Sequence, residues 1–517
     1  MKLKQVKKYY AGYILAFIFI AALGIRLYFA FQTPDFSSDE AYFSLRQIDE
    51  ITSTGTPLYN DDLSYGGRLF MFPPLFHYIL AFFNLFLPLG VVAKVLPNIF
   101  ASSLIIITYY LAKNITQDKV AALYTAGIAG FIPIFFYKTV NSVSPYSLAV
   151  PLAAYAIYCF VKLHKEKKYA YFMLISVSCF TFVHASAVLL AIALVLYLVL
   201  LKTENIKEIP AEIEIVLFSS LLVIWFLLII YKQALLSENI GIIFQNIPSQ
   251  IIWKYFQNIT VLGAIAKIGI VPFVYGIVTI YRYLFRRKTK FSYLFISFAI
   301  TIGLLLLLKA IPISAGLMFL GMILTILYSM HIVHFKGFVK KTKLARLRPF
   351  MMVSLSFTLL MTQFLPTIVF ANQEIALAPA ENEVQAFRWI EENTHPASTI
   401  LSIIENGHKI TYLAKRKNVI DSNFLNAGDT DKIFEDIKTI YTTQYKTLAM
   451  EALDKYSIDY IYFSQDVKAE FGIEKLRYAV DDTRCFKPAY DVGEGKEKIT
   501  IYKVLCRIEE SKISDRK

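Results

Sequence analysis

Acidic residues that could act as a catalytic base are concentrated in one short stretch of the chain. Residues 1–371 contain 14 Asp and Glu, and seven of these lie between residues 32 and 73. Two of them are adjacent, in the sequence Ser37-Ser38-Asp39-Glu40-Ala41-Tyr42. A carboxylate that is partly removed from water binds a proton more readily and can accept one from an incoming hydroxyl group. Asp39 and Glu40 are therefore the main candidates for a general base.

The same residues also suit the start of a helix. Ser37, Ser38 or Asp39 could serve as the N-cap of a helix over Glu40–Ile51, and acidic residues are favoured in a first helical turn. The structural and the catalytic interpretations are compatible, because a cap would hold the acidic pair in a fixed orientation.

Composition identifies the elements that must position this pair. The chain of 517 residues is 56% hydrophobic and 18% charged, and its mean hydropathy is +0.51. Soluble chains usually carry about a quarter charged residues. The apolar residues occur in blocks of about 20, the length a helix needs to cross a bilayer. The sequence thus predicts a polytopic α-helical membrane protein.

Eleven transmembrane helices are predicted. Nine lie near 11–31, 95–112, 120–137, 143–161, 214–231, 259–281, 291–308, 311–330 and 350–370. The stretch 169–201 is too long for one span and contains a polar centre, so it is predicted to form two short spans that meet near His184. The apolar segment 74–92 is predicted to lie along the membrane without crossing it, because a crossing there would place the later basic loops outside.

Charge indicates orientation rather than nucleic-acid binding. Residues 1–371 carry 32 Lys and Arg, mostly in short loops between apolar blocks, whereas residues 372–517 carry 21 Lys and Arg against 25 Asp and Glu. Positive loops face the cytoplasm. The chain is therefore predicted to be an integral, multi-pass membrane protein. Its amino terminus would be inside, with the loop 32–73 and the segment 372–517 outside.

Residues 372–517 are predicted to form a separate extracytoplasmic α/β domain. Its predicted strands are Thr399–Ile404, Ile458–Phe463 and Ile499–Val504, and its predicted helices are Glu383–Asn393 and Lys432–Tyr456. Cys485 and Cys506 flank a predicted hairpin in this domain, where a disulfide could form. The sequence leaves their pairing open.

Three sequence motifs together resemble those of a known family. These are Asp39-Glu40-Ala41-Tyr42, Pro73-Pro74-Leu75-Phe76-His77-Tyr78 and Leu96-Pro97-Asn98. They resemble the GT-C membrane glycosyltransferases, and most closely the protein mannosyltransferase and aminoarabinose-transferase branch. Residues 1–371 are accordingly identified as a GT-C-like catalytic domain. The stretch from Trp389 to Arg416 resembles the outer domain of archaeal members.

The resemblance implies transfer of a hexosyl or pentosyl group from a polyprenyl-phosphate donor to a glycan, lipid or protein acceptor, with inversion and with Asp39 as base. A lipid phosphate that leaves with negative charge needs cations or hydrogen-bond donors. The candidates at the outer face are Arg68, Lys138 and His184. Tyr42, His77 and His408 are candidates for acceptor binding. Each has a structural alternative, such as a solvated turn for Arg68 or a packed interfacial position for His77.

Departures from the family pattern limit these implications. Where many members have an acid after proline, this chain has Ser144-Pro145-Tyr146, so we expect no metal and no other cofactor. Ile403-Ile404-Glu405-Asn406-Gly407 replaces the Trp-Trp-Asp-Tyr-Gly motif of oligosaccharyltransferases, which argues against recognition of a peptide sequon. Lys267 lies in or beside a span and could line a cavity. A transporter of lipid-linked sugars and a non-catalytic relative remain alternatives.

Overall fold

The computed structural model describes residues 2–256, 260–342 and 346–508. The chain forms two compact units, each built from segments that are discontinuous in sequence. The helical unit comprises Met1–Pro34, Phe72–Lys232 and Trp253–Leu377, and the sheet unit comprises Asp35–Met71, Gln233–Ile252 and Ala378–Lys517. This division differs from the predicted boundary between residues 371 and 372, since two segments that precede the boundary fold with the C-terminal segment.

Helices dominate the secondary structure. In the first half of the chain they are α1 (Lys2–Ala30), α2 (Asp39–Thr54), α3 (Leu75–Asn84), α4 (Leu89–Thr116), α5 (Lys119–Gly130), α6 (Pro133–Val140), α7 (Tyr146–Leu163), α8 (Tyr169–Val183), α9 (Ala187–Thr203), α10 (Pro210–Ile230), α11 (Lys232–Glu238) and α12 (Ile252–Tyr255). In the second half they are α13 (Val261–Ile268), α14 (Ile270–Phe285), α15 (Lys290–Leu307), α16 (Ile313–Lys341), α17 (Arg348–Leu359), α18 (Leu365–Ile375), α19 (Glu381–Asn393), α20 (Gly407–Lys409), α21 (Thr430–Thr442), α22 (Lys446–Lys455), α23 (Gln465–Phe471) and α24 (Arg477–Asp481). The π-helical turns Leu360–Phe364 and Ile410–Ala414 continue α17 and α20.

The helical unit is built to cross a membrane. Among the described residues, seven helices are long and apolar enough to do so, and two bent pairs, α5 with α6 and α13 with α14, would raise the number to nine. Helices α8 and α9 have 15 and 17 residues, fewer than the roughly 20 that a span usually needs. They coincide with the other two predicted spans, and the count of eleven stays a prediction.

Two local predictions for the helical unit agree with its helices. The stretch 169–201 divides as expected, with His184 between the end of α8 and the start of α9. Helix α3 has 10 residues, about half the length of a membrane-crossing helix. This length fits the prediction that the segment 74–92 does not cross the bilayer.

The predicted span 259–281 is broken at Gly269. The helices on either side of it, α13 and α14, meet at 110°. The backbone of Gly269 has a φ of +103°, and a Cβ atom there would lie 1.8 Å from the Oε1 atom of Gln363. Gln363 also donates from Nε2 to the carbonyl oxygen of Ile268 at 2.9 Å. Only glycine combines this conformation with so close an approach, a requirement that apolar periodicity does not reveal.

The sheet unit contains a five-stranded mixed sheet and a two-stranded ribbon. The strands are β1 (Asn60–Asp61), β2 (Arg68–Leu69), β3 (Thr399–Leu401), β4 (Lys417–Asn418), β5 (Ile458–Phe463), β6 (Phe486–Val492) and β7 (Ile499–Val504). β1 and β2 form the ribbon, and the larger sheet has the order β4-β3-β5-β7-β6. β3 is parallel to β4 and β5, whereas β7 is antiparallel to β5 and β6. The α/β class predicted for the C-terminal segment is thereby confirmed.

The three predicted strands match β3, β5 and β7, and the hairpin predicted between Cys485 and Cys506 is formed by β6 and β7. The sequence analysis gave no bounds for β6 and did not reveal β4. Strand β4 has only 2 residues, too few for a pattern. Strand β6 contains Pro488 and lies at the edge of the sheet, the position where proline is tolerated. The predicted helix Lys432–Tyr456 is two helices, α21 and α22, because the backbone at Thr443 is extended.

Packing and a disulfide hold this unit together. Helix α19 contributes Ala386, Phe387 and Ile390 to a buried core on one face of the sheet. The ring of Phe387 stacks on that of Tyr462, with centroids 5.1 Å apart. Cys485 and Cys506, whose pairing the sequence left open, are joined by a disulfide with a Cα–Cα distance of 4.9 Å.

Candidate active-site residues

Asp39 is the first residue of α2 in the sheet unit, and it is 7% exposed. Its Oδ2 atom accepts a hydrogen bond from the backbone N–H of His408 at 3.1 Å, and its Oδ1 atom accepts one from the N–H of Lys409 at 3.0 Å. These N–H groups belong to the first turn of the helix that begins at Gly407, where backbone donors lack helical partners. The Asp39 carboxylate therefore caps that helix and is fixed in orientation.

Burial of the Asp39 carboxylate raises its pKa well above the usual range, and the charge of Glu40 acts in the same direction. The ammonium group of Lys409 and the two backbone hydrogen bonds oppose this effect. A carboxylate has about four acceptor sites on its two oxygens. The two capping bonds leave each oxygen one further site, so the group can still accept a proton.

Two other predicted residues of α2 have contrasting environments. Glu40 is exposed. Tyr42, a predicted acceptor-binding residue, is only 1% exposed. Its hydroxyl group lies 3.4 Å from both the backbone N and O of Phe36, and its ring packs 5.9 Å from that of Tyr412. The contacts of Tyr42 thus stabilise the backbone at Phe36, near the start of the segment 32–73.

Helix α20 can approach the rest of the sheet unit because it begins with glycine. A Cβ atom on Gly407 would lie 2.3 Å from the carbonyl oxygen of Ile420 and 2.4 Å from the Cβ of Asp421. No side chain fits in that space. Gly407 therefore allows the start of α20 to pack closely against Ile420 and Asp421.

Arg68, a predicted phosphate-binding residue, is the centre of a buried network in the sheet unit. Its Nη2 atom lies 2.6 Å from Oδ1 of Asp421, and its Nε atom donates to Oγ of Ser64 at 2.9 Å. Ser64 in turn donates to Oδ2 of Asp421 at 2.5 Å, and Arg68 also donates to the carbonyl oxygen of Asn423. The guanidinium group is thus surrounded by acceptors from its own unit.

His408 lies beside this network. Its Nε2 atom is 3.7 Å from Oδ1 of Asp421, and its ring packs against Phe43 and Phe70 at centroid distances of 5.2 and 6.4 Å. Burial lowers the pKa of His408, although the charge of Asp421 raises it. The pKa of Asp421 is lowered: burial alone would raise it, but Arg68 and His408 outweigh that effect. The predicted residues Arg68 and His408 therefore share one carboxylate.

Lys138 lies in the helical unit at the end of α6. Its Nζ atom is 2.8 and 3.1 Å from the two carboxylate oxygens of Glu374 in α18. The Lys138 side chain is 39% exposed, whereas that of Glu374 is 8% exposed. Lys267 of α13 lies within electrostatic range of both residues. Two cations therefore share one carboxylate here.

The helical unit also buries two cations that the sequence analysis missed. Arg26 donates from Nη1 to Oδ1 of Asn98 and to Oγ1 of Thr139, at 3.1 Å in both cases. Its guanidinium group lies 4.5 Å from the centre of the Phe136 ring. Lys94 donates to the carbonyl oxygen of Ala30 at 2.6 Å. An arginine inside an apolar block was a visible signal, because charged residues within spans are usually functional.

Two of the predicted site residues in the helical unit are histidines, His184 and His77. The Nδ1 atom of His184 accepts a hydrogen bond from the backbone N–H of Ser186 at 3.0 Å, and its ring centre is 4.2 Å from that of Tyr146. A neutral His184 therefore carries its proton on Nε2. His77 is 2% exposed, and its ring packs 5.1 Å from Phe72 and 5.6 Å from Phe76.

The predicted residues are divided between the two units. The sheet unit holds Asp39, Glu40, Tyr42, Arg68 and His408, and the helical unit holds His77, Lys138 and His184. Among the residues that the structure describes, no group of three or more His, Cys, Asp and Glu side chains is arranged to hold a metal ion. The roles assigned to all these residues stay predictions.

No protein-family model and no curated protein matches the chain, but solved structures do. The archaeal oligosaccharyltransferase AglB from Archaeoglobus fulgidus, in complex with an inhibitory peptide and a dolichol-phosphate, aligns with a TM-score of 0.69 at 14% identity, over 96% of this chain and 74% of that one. The Archaeoglobus fulgidus oligosaccharyltransferase tethered to an acceptor peptide with the NVT sequon gives 0.70 at 13% identity, over 97% and 75%. ArnT from Cupriavidus metallidurans, bound to undecaprenyl phosphate, gives 0.54 at 10% identity, over 95% and 98%.

These structures are GT-C glycosyltransferases. The alignments extend over nearly the whole of this chain, so both of its units take part in the similarity. At such low identities the similarity concerns the fold. The chain therefore has the fold of the GT-C membrane glycosyltransferases, as its sequence motifs predicted.

Proposed function

We propose that the protein is a membrane glycosyltransferase that moves a hexosyl or pentosyl group from a polyprenyl-phosphate carrier to a hydroxyl group on its acceptor. The fold supports this proposal, since AglB and ArnT have been solved with dolichol-phosphate and undecaprenyl phosphate respectively. A fold alone does not fix a reaction. The observation that carries the proposal is the placement of Asp39, a buried carboxylate that two backbone N–H groups hold in one orientation.

In this proposal Asp39 is the general base. It takes the proton of the acceptor hydroxyl group while the hydroxyl oxygen forms a bond to the anomeric carbon of the sugar. The bond between that carbon and the phosphate oxygen breaks, and its electrons leave with the lipid phosphate, so the configuration inverts. Burial favours this role because it raises the pKa of Asp39 towards the pH at which a base works best.

A lipid phosphate needs cations, and the helical unit by itself supplies two candidates. Lys138 is half-exposed and has a second cation, Lys267, in electrostatic range. We propose that these two lysines bind the phosphate and that Lys138 exchanges Glu374 for it. His184 could donate a further hydrogen bond from Nε2. Arg68 is instead assigned a structural role, because Asp421 and neighbouring acceptors already surround its guanidinium group.

The proposed setting is the outer face of a prokaryotic membrane. The donor's prenyl chain would lie in the bilayer, and the acceptor would be a glycan, a lipid or a protein. Glu40 is the exposed neighbour of the base and is the second candidate for that role. Acceptor binding by Tyr42, His77 and His408 stays a prediction, and the packed rings of these three residues favour supporting roles.

Transfer of labelled sugar from a panel of polyprenyl-phosphate sugars, in membranes that contain the wild type, Asp39→Asn or Glu40→Gln, tests the proposal. We expect Asp39→Asn to lower the rate by about a thousandfold, the middle of the range of about 10² to 10⁴ for general acid–base catalysis, and Glu40→Gln to change it by less than about fivefold. Asparagine can accept only one of the two capping bonds. The melting temperature and the binding of undecaprenyl phosphate must therefore be measured in the same preparations. Full activity of Asp39→Asn would overturn the assignment.

One observation favours a second candidate function, a non-catalytic relative of these enzymes. Both oxygens of Asp39 already accept capping bonds, so the residue has a structural use without any reaction. Under this alternative the wild type binds undecaprenyl phosphate but transfers sugar from no donor of the panel. Asp39→Asn would then lower only the melting temperature.

A further inference from the structure

Three arginines lie close together at the end of α14 in the helical unit. Arg282 is half-buried, whereas Arg286 and Arg287 are exposed. The backbone N–H groups of Arg286 and Arg287 both donate to the carbonyl oxygen of Arg282, at 3.0 and 3.2 Å. The three side chains therefore extend from about one turn of backbone. Together they form a compact cluster of positive charge, which is called the arginine cluster below.

The arginine cluster has no acidic partner among the residues that the structure describes. The basic residues that follow it in the same loop differ in this respect. Lys288 pairs with Glu204, and the Nζ atom of Lys290 lies 2.8 Å from Oε2 of Glu212. The side chains of the three arginines make no ion pair or hydrogen bond with a described residue. Since these two carboxylates pair with lysines, the guanidinium donors are available to a ligand.

Helix α16 adds two histidines beside the arginine cluster. The Nε2 atom of His334 lies 2.8 Å from the hydroxyl oxygen of Tyr283, the residue after Arg282. The ring centre of His331 lies 4.4 Å from that of Tyr275. These contacts follow the same order along both helices, so α14 and α16 run parallel and end on the same side of the helical unit. Both histidines are within electrostatic range of Arg282.

An exposed apolar face of α14 leads to the arginine cluster. Val274, Val278 and Arg282 follow one another at intervals of four residues, so their side chains lie on one face of the helix. Val274 and Val278 are exposed, as are Tyr281 and Phe285. Tyrosine is enriched where a membrane meets water. One face of this helix thus presents apolar side chains that end at guanidinium groups.

We propose that the end of α14 binds an anionic phospholipid of the surrounding bilayer. Its phosphate would lie among Arg282, Arg286 and Arg287, and an acyl chain would lie along Val274 and Val278. A guanidinium group can donate two parallel hydrogen bonds to one phosphate, and basic pockets between membrane helices suit lipid headgroups. The positive charge favours an anionic lipid over a zwitterionic one, and the apolar face favours a lipid over free phosphate. The inference goes beyond the proposed function and does not depend on it.

A simpler explanation is that the arginines only orient the chain in the membrane. Basic loops are typical of the cytoplasmic side of membrane proteins, and they attract anionic lipids through their charge alone. Under this explanation, any two exposed cations in such loops would contribute equally. Lys165 and Lys167 are exposed and lie in a different basic loop, between α7 and α8. They therefore provide a control that is matched in charge.

The first test measures binding of dioleoyl phosphatidylglycerol and dioleoyl phosphatidylcholine to the purified full chain by native mass spectrometry. We expect the wild type to prefer phosphatidylglycerol. The double variant Arg282→Gln with Arg287→Gln should bind it about 25-fold more weakly, because each basic residue near a charged membrane surface contributes about fivefold in affinity. Lys165→Gln with Lys167→Gln should bind it as the wild type does. The proposal is wrong if the arginine variant binds no more weakly than the lysine variant, or if the wild type shows no preference.

A second test uses only the wild type, so it does not depend on the folding of a variant. Phosphatidylglycerol with a photoactivatable diazirine in one acyl chain is cross-linked to the protein in phosphatidylcholine nanodiscs, and the labelled peptides are identified by mass spectrometry. We expect the segment Val274–Phe285 to be labelled more strongly than by a matched phosphatidylcholine probe. Unlabelled phosphatidylglycerol should compete, whereas glycerol phosphate, which lacks acyl chains, should not. Equal labelling by the two probes, or competition by glycerol phosphate, would contradict the proposal.

Discussion

Each unit contains an ion pair between a carboxylate and a cation that was predicted to bind phosphate. The surroundings of the two ion pairs differ. In the sheet unit the side chains of Arg68 and Asp421 are 3% and 0% exposed. The guanidinium group also lies 4.3 Å from the centre of the Phe70 ring. In the helical unit the Lys138 side chain is 39% exposed, and a second cation, Lys267, lies within electrostatic range of it.

The difference shows that the sign of a charge does not identify a phosphate site. An arginine has five N–H donors, and those of Arg68 face Asp421, Ser64 and backbone carbonyls. A ligand would have to displace partners that are themselves buried. Lys138 is partly exposed to solvent and pairs with Glu374. Exchange of that partner for a phosphate would release one buried carboxylate, which has Lys267 within electrostatic range. Three experiments test this comparison.

The largest expected effect is on stability, from Arg68→Met. Removal of one partner from a buried ion pair leaves an uncompensated charge and usually costs about 3–5 kcal/mol. We therefore expect denaturant unfolding of the purified protein to show a loss of this size. The control is Lys455→Met, which removes an exposed pair with Asp436 and should cost less than about 1 kcal/mol. If Arg68→Met is as stable as the wild type but binds undecaprenyl phosphate weakly, the structural assignment is wrong and Arg68 binds the phosphate.

A smaller effect is expected on lipid binding, from Lys138→Met and Glu374→Gln. Loss of the ammonium group should weaken binding of undecaprenyl phosphate in nanodiscs by about tenfold, equivalent to roughly 1.4 kcal/mol. Glu374→Gln releases the lysine and should leave binding unchanged or make it tighter. These opposite outcomes separate a binding role from a structural one. An equal weakening in both variants would indicate that the pair only holds α6 against α18.

Much of the fold could be predicted from the sequence, because membrane spans and buried strands leave strong apolar patterns. The break at His184 and the strands β3, β5 and β7 were predicted at nearly their observed positions. The turn at Gly269 was not, because it depends on a contact with Gln363, which lies 94 residues away in the sequence. Periodicity describes a segment by itself and gives no information about such contacts.

The candidate site was harder to predict for a related reason. Residue type and position in a loop identified Asp39 and Arg68 as candidates. They did not show that neighbouring acceptors occupy the donors of Arg68, whereas Asp39 keeps acceptor sites for a substrate. Asp421 and Lys409 were overlooked because they lie more than 340 residues further along the chain, where no local motif relates them to the first loop. The partners that decide the roles of Asp39 and Arg68 thus come from folding of discontinuous segments.

The smallest expected effect comes from His408→Gln. This variant tests whether Arg68 alone compensates the charge of Asp421. Burial lowers the pKa of His408 below its unfolded-state value of about 6.5. As the pH falls below 6.5, His408 therefore becomes protonated more readily in the unfolded chain than in the folded chain. Stability is therefore lost as pH falls below about 6.5. Glutamine keeps the backbone N–H that caps Asp39, and it should reduce this loss of stability as the pH falls from 6.5 to 5. His395→Gln, at an exposed position, should leave the loss unchanged. If His408→Gln instead lowers stability most at pH 5, the imidazole is protonated in the folded protein, and Asp421 is compensated by two cations.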